Sequence, residues 1–485
     1  MSNPNPHTVC IIGGGMSGLF TGALLAKNGY NVTVLEKNHI IGGGLQSFRR
    51  GDAMFNTGMQ VFVGYNSNLA LKHIFHYLDI DEKSLGIVST ASSAQEIVWI
   101  DADHSYHLPR GREKYEEYLI LQFPQQSKGI HRFLDAIYEI GNTFDYFFLS
   151  PIVPHKELVK YANLTAEQLI RQYLSDENLI KLLGYASIHI GHDLSHATAI
   201  ELGMILMLYI EGSCHLTGGN IKLAELLAEI IENNGGKVLN NTTVCRININ
   251  DQTISAVEDT NNNFYTADIF IGAISPKLLL DMSHENLFRR ATLQRIEQYK
   301  SDFSGCAVFI QFKKESFPYI NSSLFMPYKQ QEDGLPLYIN AITPKYGGGD
   351  KWANTMEIYV PCRYEQYKQW EDTKIGNRGL SYEKKKQEFA VDVIDYVSRF
   401  YPSLQESIEN VYVGSSLTLR DFYGNINGAT YSQQGLFIPI KTRMTNLFMT
   451  GQAVMYQGLL GVATTSIIVA ETILQKSLIK EIAKV

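Results

Sequence analysis

The first 36 residues carry a glycine pattern that few folds accommodate. A short apolar run, residues 9–12, leads into Gly13, Gly15 and Gly18. In such a pattern the first glycine permits a tight turn out of a strand, the second lets a pyrophosphate approach the backbone, and the third lets a helix pack closely on the sheet. A second alternating run ends at Glu36, 18 positions after Gly18, where a carboxylate can bind ribose hydroxyls. The segment predicts a dinucleotide-binding βαβ unit.

A second glycine cluster follows this unit closely. Gly42, Gly43 and Gly44 come six to eight positions after Glu36, and a turn at residues 55–58 follows them. Glycines let a second stretch of backbone lie against a diphosphate and a ribityl chain, which a nicotinamide site does not need. The pattern therefore favours FAD over NAD.

The spacing of these motifs resembles the flavin amine-oxidase superfamily, and within it the phytoene desaturase, carotenoid isomerase and retinol saturase family. The residues that carry the likeness lie at 36–48 and 55–58, in a closing motif at 446–466, and in stretches at 417–421 and 427–431. The resemblance implies an α/β fold, in which a Rossmann-like FAD-binding domain made of three segments holds an inserted α+β substrate domain.

The domain limits follow from where the motifs lie. We expect the FAD-binding domain at residues 1–75, 213–275 and 426–485, and the substrate domain at 76–212 and 276–425. The first insert shows helical periodicity, with Phe133, Ile137 and Ile140 on one face, and the second contains strand-like runs. Together they predict a sheet floor with a helical cap. Residues 221–233, in the middle FAD segment, are expected to form a helix.

The cofactor-binding residues expected from the motifs and the resemblance come from the three FAD segments, and Val244 is placed near the adenine only by analogy with the family. They are Gly13, Gly14, Gly15, Met16, Ser17, Gly18, Glu36, Lys37, Gly42, Gly43, Gly44, Leu45, Gly58, Met59, Gln60, Val244, Gly451, Gln452, Gly461 and Val462.

The family chemistry occurs mainly on the flavin, so the protein has only to hold a C–C bond over the ring and to supply or remove a proton. Candidate proton donors are Tyr65, His192 and Tyr431. A tyrosine or histidine in an apolar setting is more often a core residue, and the catalytic residues otherwise stay unknown. No metal site is expected.

The chain departs from the family pattern at three positions. Met59-Gln60 stands where the retinol saturase pattern has a histidine, and an amide cannot act as a general acid. Asn56 replaces the acidic residue usual before Thr57, and Gly44 replaces an arginine of the amine oxidases. These departures leave the substrate and the proton-transfer step open.

Two segments of the expected substrate domain are strongly apolar. Residues 144–154 cluster aromatic side chains beside prolines, and residues 203–210 put methionine and leucine into one helix. Each segment is explained by ordinary core packing or by a tunnel for a hydrophobic small molecule whose mouth docks on a lipid surface. The second reading requires Phe144, Tyr146, Phe147, Phe148 and Leu149 to be exposed.

Composition limits which partners and which cellular location the protein can have. A net charge of −7 over 485 residues gives no basic footprint for nucleic acid. Five cysteines without a Cys-x-x-Cys pair favour a reducing cytosol, and no run is long and apolar enough to span a membrane, so we expect a cytoplasmic protein that touches the membrane at most peripherally. The electron donor or acceptor is unknown.

Two alternatives stay open at this stage. A flavin amine oxidase shares the scaffold, and Tyr456 before the closing glycines is compatible with its aromatic pair. A flavin-free prenyl-lipid binding protein of the Rab GDP-dissociation inhibitor type also shares the fold.

Overall fold

The computed structural model describes residues 7–66, 68–299, 304–329, 337–346, 351–429 and 437–485. Within these ranges the strands are β1 (Thr8–Ile12), β2 (Asn31–Leu35), β3 (Ser47–Arg50), β4 (Ala53–Asn56), β5 (Phe62–Val63), β6 (Ile87–Ser89), β7 (Glu96–Trp99), β8 (Ser105–Leu108), β9 (Ser213–Leu216), β10 (Lys237–Leu239), β11 (Val244–Asn250), β12 (Thr253–Asp259), β13 (Phe264–Tyr265), β14 (Ile269–Gly272), β15 (Ser304–Phe312), β16 (Ser323–Lys329), β17 (Leu337–Ile342), β18 (Thr355–Cys362), β19 (Ile408–Gly414) and β20 (Leu447–Met449).

The helices in the same ranges are α1 (Met16–Lys27), α2 (Ala70–Tyr77), α3 (Glu82–Leu85), α4 (Arg112–Gln122), α5 (Ser127–Gly141), α6 (Ala166–Tyr173), α7 (Glu177–Leu183), α8 (Ser187–Ile190), α9 (Ala199–Glu211), α10 (Ile221–Asn233), α11 (Pro276–Asp281), α12 (Arg290–Gln298), α13 (Leu380–Val397), α14 (Leu404–Ser407), α15 (Ser416–Tyr423), α16 (Gly458–Leu474) and α17 (Ile479–Ile482).

A five-stranded parallel sheet in the order β10-β2-β1-β14-β20 forms the centre of the nucleotide-binding unit. Val9 in β1 lies between Val32 of β2 and Ile269 of β14. Four of the five residues of β1 are buried, as expected for a parallel strand that is covered on both faces. Helix α1 packs against α10 and α16. The predicted α/β, Rossmann-like fold is confirmed.

The strands of this sheet come from three separate stretches of the chain. β1 and β2 lie near the amino terminus, β10 and β14 in the middle, and β20 near the carboxyl terminus. The interrupting stretches form a helical layer and a second sheet. The exact domain limits stay a prediction.

The second sheet has seven strands in the order β19-β15-β18-β17-β16-β7-β8. Five of its strands come from the insert for which strands were predicted, but β7 and β8 come from the insert expected to be helical. Ile97 of β7 pairs in parallel with Leu324 of β16, far away in sequence. Because this pairing is long-range, the local periodicity does not reveal it.

Helices α4 to α9 make up the helical layer, and α5 packs on α9. Phe133, Ile137 and Ile140 of α5 are fully buried, so the predicted apolar face of this helix is confirmed. Helix α9 begins with a capping box between Thr198 and Glu201. Among the described residues, no helix combines the length and apolarity needed to cross a bilayer.

Candidate functional site

The turn from β1 into α1 forms one side of a cradle. Gly13 has φ +110°, and a Cβ there would lie 2.7 Å from the Ile274 side chain, so the turn requires glycine. Gly15 pairs with Gly42 through a parallel β-bridge. A Cβ built on Gly15 meets nothing nearer than the Gly43 Cα atom at 3.9 Å. The two glycine loops therefore run side by side in close contact, and the space beside Gly15 is open.

Glu36, at the end of β2, closes the turn through its carboxylate. Oε2 accepts a hydrogen bond from the Gly14 N–H at 2.8 Å, and Oε1 accepts one from the Asn38 N–H at 2.8 Å. Burial raises the pKa of this carboxyl, while the two backbone hydrogen bonds and Lys37 oppose the shift. Each oxygen keeps a second lone pair, so the group can still accept from a ribose hydroxyl.

The neighbouring lysine is engaged with the chain itself. Lys37 Nζ donates to the Asp421 carbonyl oxygen at 2.6 Å, and burial lowers its pKa. This contact joins the nucleotide-binding unit to α15. The structure thus gives the Lys37 side chain a structural partner, and the expected cofactor contact stays a prediction.

Asn56, which replaces the acidic residue of the family pattern, is held on both sides. Its Oδ1 accepts from Ser47 Oγ at 2.8 Å and from the Asn220 N–H at 3.0 Å, and its own N–H donates to Glu357 Oε1 at 2.7 Å. Tyr346 donates to the same Glu357 oxygen at 2.6 Å. Burial raises the pKa of Glu357 to about 7. A carboxyl from β18 thus lies beside the turn that lacks its usual acid.

The closing motif brings the start of α16 to the same region. Gly451 lies next to Ser17 of α1, because a Cβ on Gly451 would come within 2.7 Å of Ser17 Oγ. Gln457 precedes α16, and its Nε2 donates to the His189 carbonyl oxygen at 2.8 Å. The amino terminus of α16 therefore points at the cradle, where its dipole favours negative charge.

These elements line one cavity of about 1840 Å³, a volume that includes the open solvent at its mouth. Its predicted lining residues are Gly15, Met16, Ser17, Gly43, Gly44, Gly58, Met59, Gln60, Gly451, Gln452, Gly461 and Val462. The structure brings these twelve residues together from the first and the last of the three chain segments.

The other predicted cofactor residues are not among those that line the cavity. Gly13, Gly14, Gly18 and Gly42 shape the turns, while Glu36 lies against Gly14 and Lys37 contacts Asp421. Leu45 is fully buried in the main hydrophobic core, so its side chain is unavailable to a ligand. Val244 begins β11 and is also buried, so its place near an adenine stays a prediction.

Beyond the cradle the cavity becomes apolar. Phe147, Ile188, His189, Tyr209 and Tyr359 line this part, together with Met204, Ile205 and Leu208 of α9. No lysine, arginine, aspartate or glutamate is present among the described residues that line the cavity. We call this part of the cavity the apolar chamber. The side chains of α9 are buried, as core packing predicts, and several of them also line the chamber, while the tunnel with a mouth on a lipid surface stays a prediction.

Two of the three predicted proton donors, Tyr65 and His192, do not line this chamber. Tyr65 packs its ring against Phe62 and Phe75, and neither Tyr65 nor His192 lines the cavity. Tyr431 lies outside the described residues. His189, three residues before His192, is the histidine that lines the chamber. The sequence analysis missed it because α8 has only four residues and no motif marks it.

The aromatic cluster at 144–149 is not the exposed surface that membrane docking requires. Phe147 is 1% exposed, stacks on Phe144 at 5.5 Å, and meets the ring of Tyr456 edge-on at 5.0 Å. The Tyr146 hydroxyl donates to Glu471 at 3.1 Å. The prediction of an exposed cluster is wrong, because the 3-10 turn at Asp145–Phe148 directs Phe147 into the chamber wall. Tyr456 packs in the same cluster and does not line the cavity.

Comparison with known proteins agrees with the motif-based resemblance. Residues 11–78 match the model of an NAD(P)-binding Rossmann-like domain. The chain is 21% identical to all-trans-retinol 13,14-reductase of Rattus norvegicus, over 99% of this chain and 87% of that protein. It is 23% identical to prolycopene isomerase 1 of an Oncidium hybrid cultivar, over 96% and 84%. It is 24% identical to a 4,4'-diapophytoene desaturase of Staphylococcus haemolyticus, over 49% of each chain. The predicted family resemblance is confirmed.

Solved structures share the fold along nearly the whole chain. An oxidoreductase from Methanosarcina mazei gives a TM-score of 0.70 at 15% identity, covering 97% of this chain and 100% of that one. Putrescine oxidase bound to putrescine gives 0.67 at 15% identity, with 97% and 99% covered. A Rab GDI from Plasmodium falciparum gives 0.53 at 12% identity, with 98% and 99% covered. At these identities the likeness shows the fold alone, so the chemistry has to be inferred from the residues of the site.

Proposed function

We propose that this chain is an FAD-dependent oxidoreductase that changes a C=C or C–C bond in a lipophilic polyene, retinoid or isoprenoid substrate. One observation carries the proposal: the glycine cradle and the apolar chamber are parts of a single cavity. A cofactor in the cradle would therefore meet a hydrophobic molecule in the chamber without solvent between them. The relatives named above, a retinol reductase, a carotenoid isomerase and a diapophytoene desaturase, agree with such a substrate.

The residues present fit a flavin dinucleotide. The open space beside Gly15 suits a diphosphate, the Glu36 carboxylate suits a ribose, and the start of α16 suits a ring edge that becomes negative on reduction. A bound flavin would supply the electron pair and one hydrogen as a hydride equivalent. The chain's own task is to hold the substrate, exclude water and handle one proton.

The chamber lining argues against an amine oxidase. A substrate amine is a cation, and burying a cation in an apolar site without a carboxylate partner is costly. The described lining residues offer no acidic side chain, and the ring of Tyr456 packs on Phe144 and Phe147. A neutral hydrocarbon chain suits these walls better.

The flavin-free lipid carrier is the second alternative. It would need the apolar chamber but not an open diphosphate cradle. The space beside Gly15 and the acid at Glu36 favour the enzyme. Purified protein that is colourless and takes up no FAD would decide for the carrier.

The test of the proposed reaction is an anaerobic incubation of the reduced flavoprotein with a panel of polyenes, retinoids and isoprenoids. We expect one substrate class to change by two hydrogens in mass, or to isomerise at constant mass. Oxidised flavoprotein under the same conditions is the control for desaturation. A protein that binds FAD but converts neither polyenes nor amines would contradict the proposed function.

We also propose where the enzyme acts in the cell and what supplies its electrons. Free cysteines suit a reducing cytosol, and the exposed apolar side chains of Ile152, Val153 and Val159 suit peripheral contact with the cytoplasmic face of a membrane. Substrate would then enter from lipid. The electron donor is a separate partner, because the sequence contains no second GxGxxG unit.

A further inference from the structure

A polar cluster lies directly behind the apolar wall of the chamber. Glu96 of β7 is 1% exposed, and its Oε2 accepts a hydrogen bond from the Tyr185 hydroxyl at 2.6 Å. His189 lines the chamber and stacks on the ring of Tyr209, with ring centroids 3.6 Å apart. A buried acid and a histidine therefore lie together at the wall where a substrate would lie.

Two atoms of this cluster face each other without hydrogen-bond partners among the described residues. They are Glu96 Oε1 and His189 Nε2, which are 4.0 Å apart and both buried. Buried polar atoms are nearly always paired, and leaving them unpaired costs free energy. Moving the two atoms about 1 Å closer would give an ordinary hydrogen bond. The arrangement is that of a proton donor and acceptor held just apart.

The protonation states of the pair follow from burial. Besides His189, the titratable groups that face Glu96 are Tyr185 and Tyr115, and neither tyrosine brings a positive charge. Burial raises the pKa of Glu96 to about 8 and lowers the pKa of His189 to about 3. Near neutral pH the carboxyl thus carries a proton, and the imidazole is uncharged with a free lone pair.

We propose that His189 passes a proton from Glu96 to the reacting carbon of the substrate, an assignment that rests on the proposed function. In saturation, the Glu96 O–H bond breaks as the proton binds His189 Nε2, and the Nδ1–H bond breaks as that proton binds the substrate carbon. The imidazole stays neutral and changes tautomer, while Glu96 becomes a carboxylate. The substrate gains one proton here, and its second hydrogen with two electrons is the hydride equivalent named above.

The negative charge left on Glu96 has partners in place. The Tyr185 hydroxyl already donates to Oε2, and the new Nε2–H of His189 then donates to Oε1. Hydrogen bonds to a carboxylate are about twice as strong as those between neutral groups. A proton from water restores the acid between turnovers, and in desaturation the same transfers run backwards. His189 is the catalytic residue, and Glu96 is a positioning residue that acts through it.

The ground state is tested without substrate, on the purified flavoprotein with ¹⁵N-labelled histidine. We expect the His189 ring to be neutral from pH 6 to pH 8 and protonated at Nδ1. In His189→Phe, the infrared band of the protonated Glu96 carboxyl should shift, and in Glu96→Gln it should vanish. A His189 ring protonated at Nε2, or an ionised Glu96 at pH 6, would overturn the relay.

The transfer is tested in the two-electron conversion of the polyene that the anaerobic incubation identifies as substrate. Glu96→Gln keeps the shape and the Tyr185 hydrogen bond but carries no acidic proton. We expect this variant and His189→Phe to lower kcat by about 10²- to 10⁴-fold with little change in KM. The double variant should be no slower than the slower single variant, because the two residues act as one unit. The wild-type saturation rate should fall above pH 8, and that fall should be absent in Glu96→Gln.

A matched control removes another buried imidazole. His215 of β9 is 7% exposed and does not line the cavity, so His215→Phe should leave kcat and the pH profile unchanged. Equal rates and pH profiles for the wild type and Glu96→Gln would refute the relay while leaving the proposed function intact. A wild type that converts no polyene would refute the function, and the tautomer measurement would then decide the pair by itself.

Discussion

The Glu36 carboxylate accepts hydrogen bonds from two backbone N–H groups of the chain itself. It accepts from Gly14 and Asn38, and it is 6% exposed. A carboxylate has four lone-pair positions, so these bonds orient the group and leave room for a ribose. The residue therefore acts both as a clamp on the turn and as the expected ligand of the cofactor.

Replacing Glu36 with alanine should weaken FAD binding by roughly 1.5–3 kcal/mol, the range for hydrogen bonds to a charged group. The measurement is FAD affinity by calorimetry on the stripped protein. Glu36→Gln is the matched control: it keeps one acceptor oxygen and should lose less. An alanine variant with wild-type affinity would show that the carboxylate only closes the turn.

Glu357 gives a prediction about pH. Its folded-state pKa of about 7 lies above the ordinary value of 4.5, so the folded chain holds this proton more tightly than the unfolded chain. The contribution of Glu357 to stability is therefore fully present below pH 4.5 and is lost as the pH rises through 7. Relative to Glu357→Gln, the wild type should lose on the order of 3 kcal/mol in free energy of unfolding over this window.

The measurement is urea unfolding of both proteins between pH 4.5 and pH 8. Glutamine can still accept from Asn56 N–H and the Tyr346 hydroxyl, so packing is kept. Glu285→Gln, at an exposed position, controls for the loss of one charge. Parallel stability curves for wild type and Glu357→Gln would contradict the raised pKa.

At the scale of elements, glycine serves two different purposes in the turn from β1 into α1. At Gly15 the backbone is extended and an added Cβ finds open space, whereas a Cβ at Gly18 would collide with the Gly13 carbonyl oxygen. The flavin-free Gly15→Val protein should therefore have the same Tm as the flavin-free wild type. It should nevertheless bind no FAD, because the valine side chain fills the diphosphate cradle. Gly18→Val should unfold or lose many degrees in Tm, because helix and strand can no longer pack.

Visible absorbance and thermal melts of the two variants check this pair of outcomes. A yellow Gly15→Val protein would place the diphosphate elsewhere. A stable Gly18→Val protein would show that α1 can move off the sheet.

The same element explains why part of the fold was predictable from sequence. The βαβ unit depends on residues within one short stretch, and so do the apolar face of α5 and the helix over 221–233, which matches α10. The place of β7 in the second sheet and the position of His189 depend on contacts across more than 100 residues, as in the pairing of β7 with β16 and the hydrogen bond from Gln457 to the His189 carbonyl. Local patterns hold no information about such contacts. Phe147 was misassigned for the same reason, because only the folded turn shows which way its ring points.

At the scale of the whole molecule, cofactor and substrate sites are joined by a few contacts between distant segments. Gln457, before α16, binds the carbonyl of His189 in α8, so the closing flavin motif and the chamber wall are fixed to each other. Asn56 of β4 likewise binds Glu357 of β18. Movement of the helical layer would therefore shift both the start of α16, where the proposed flavin ring edge would lie, and the proposed proton relay. These contacts argue for a rigid connection between binding and chemistry.

Membrane contact is also a property of the whole molecule. The structure indicates a different candidate surface for it from the one that the sequence suggests. Ile152, Val153 and Val159 are 59%, 50% and 74% exposed, a few residues beyond the buried Phe147. We call these three residues the 152–159 patch. Apolar side chains that are exposed within one short stretch of chain suit insertion into a lipid surface. The patch, and not the aromatic cluster at 144–149, is thus the surface to test.

Replacing all three patch residues with serine should release the protein from phosphatidylcholine–phosphatidylglycerol vesicles in a flotation assay, with FAD content and Tm unchanged, because exposed side chains contribute little to folding. Leu121→Ser with Leu380→Ser removes two apolar side chains that are 75% and 90% exposed elsewhere, and should leave flotation as it is. Phe147→Ser should instead cost on the order of 3–5 kcal/mol of stability, since it empties a packed site. Wild-type protein that never floats with vesicles would exclude lipid docking through the patch. Substrate would then have to reach the chamber from a soluble carrier.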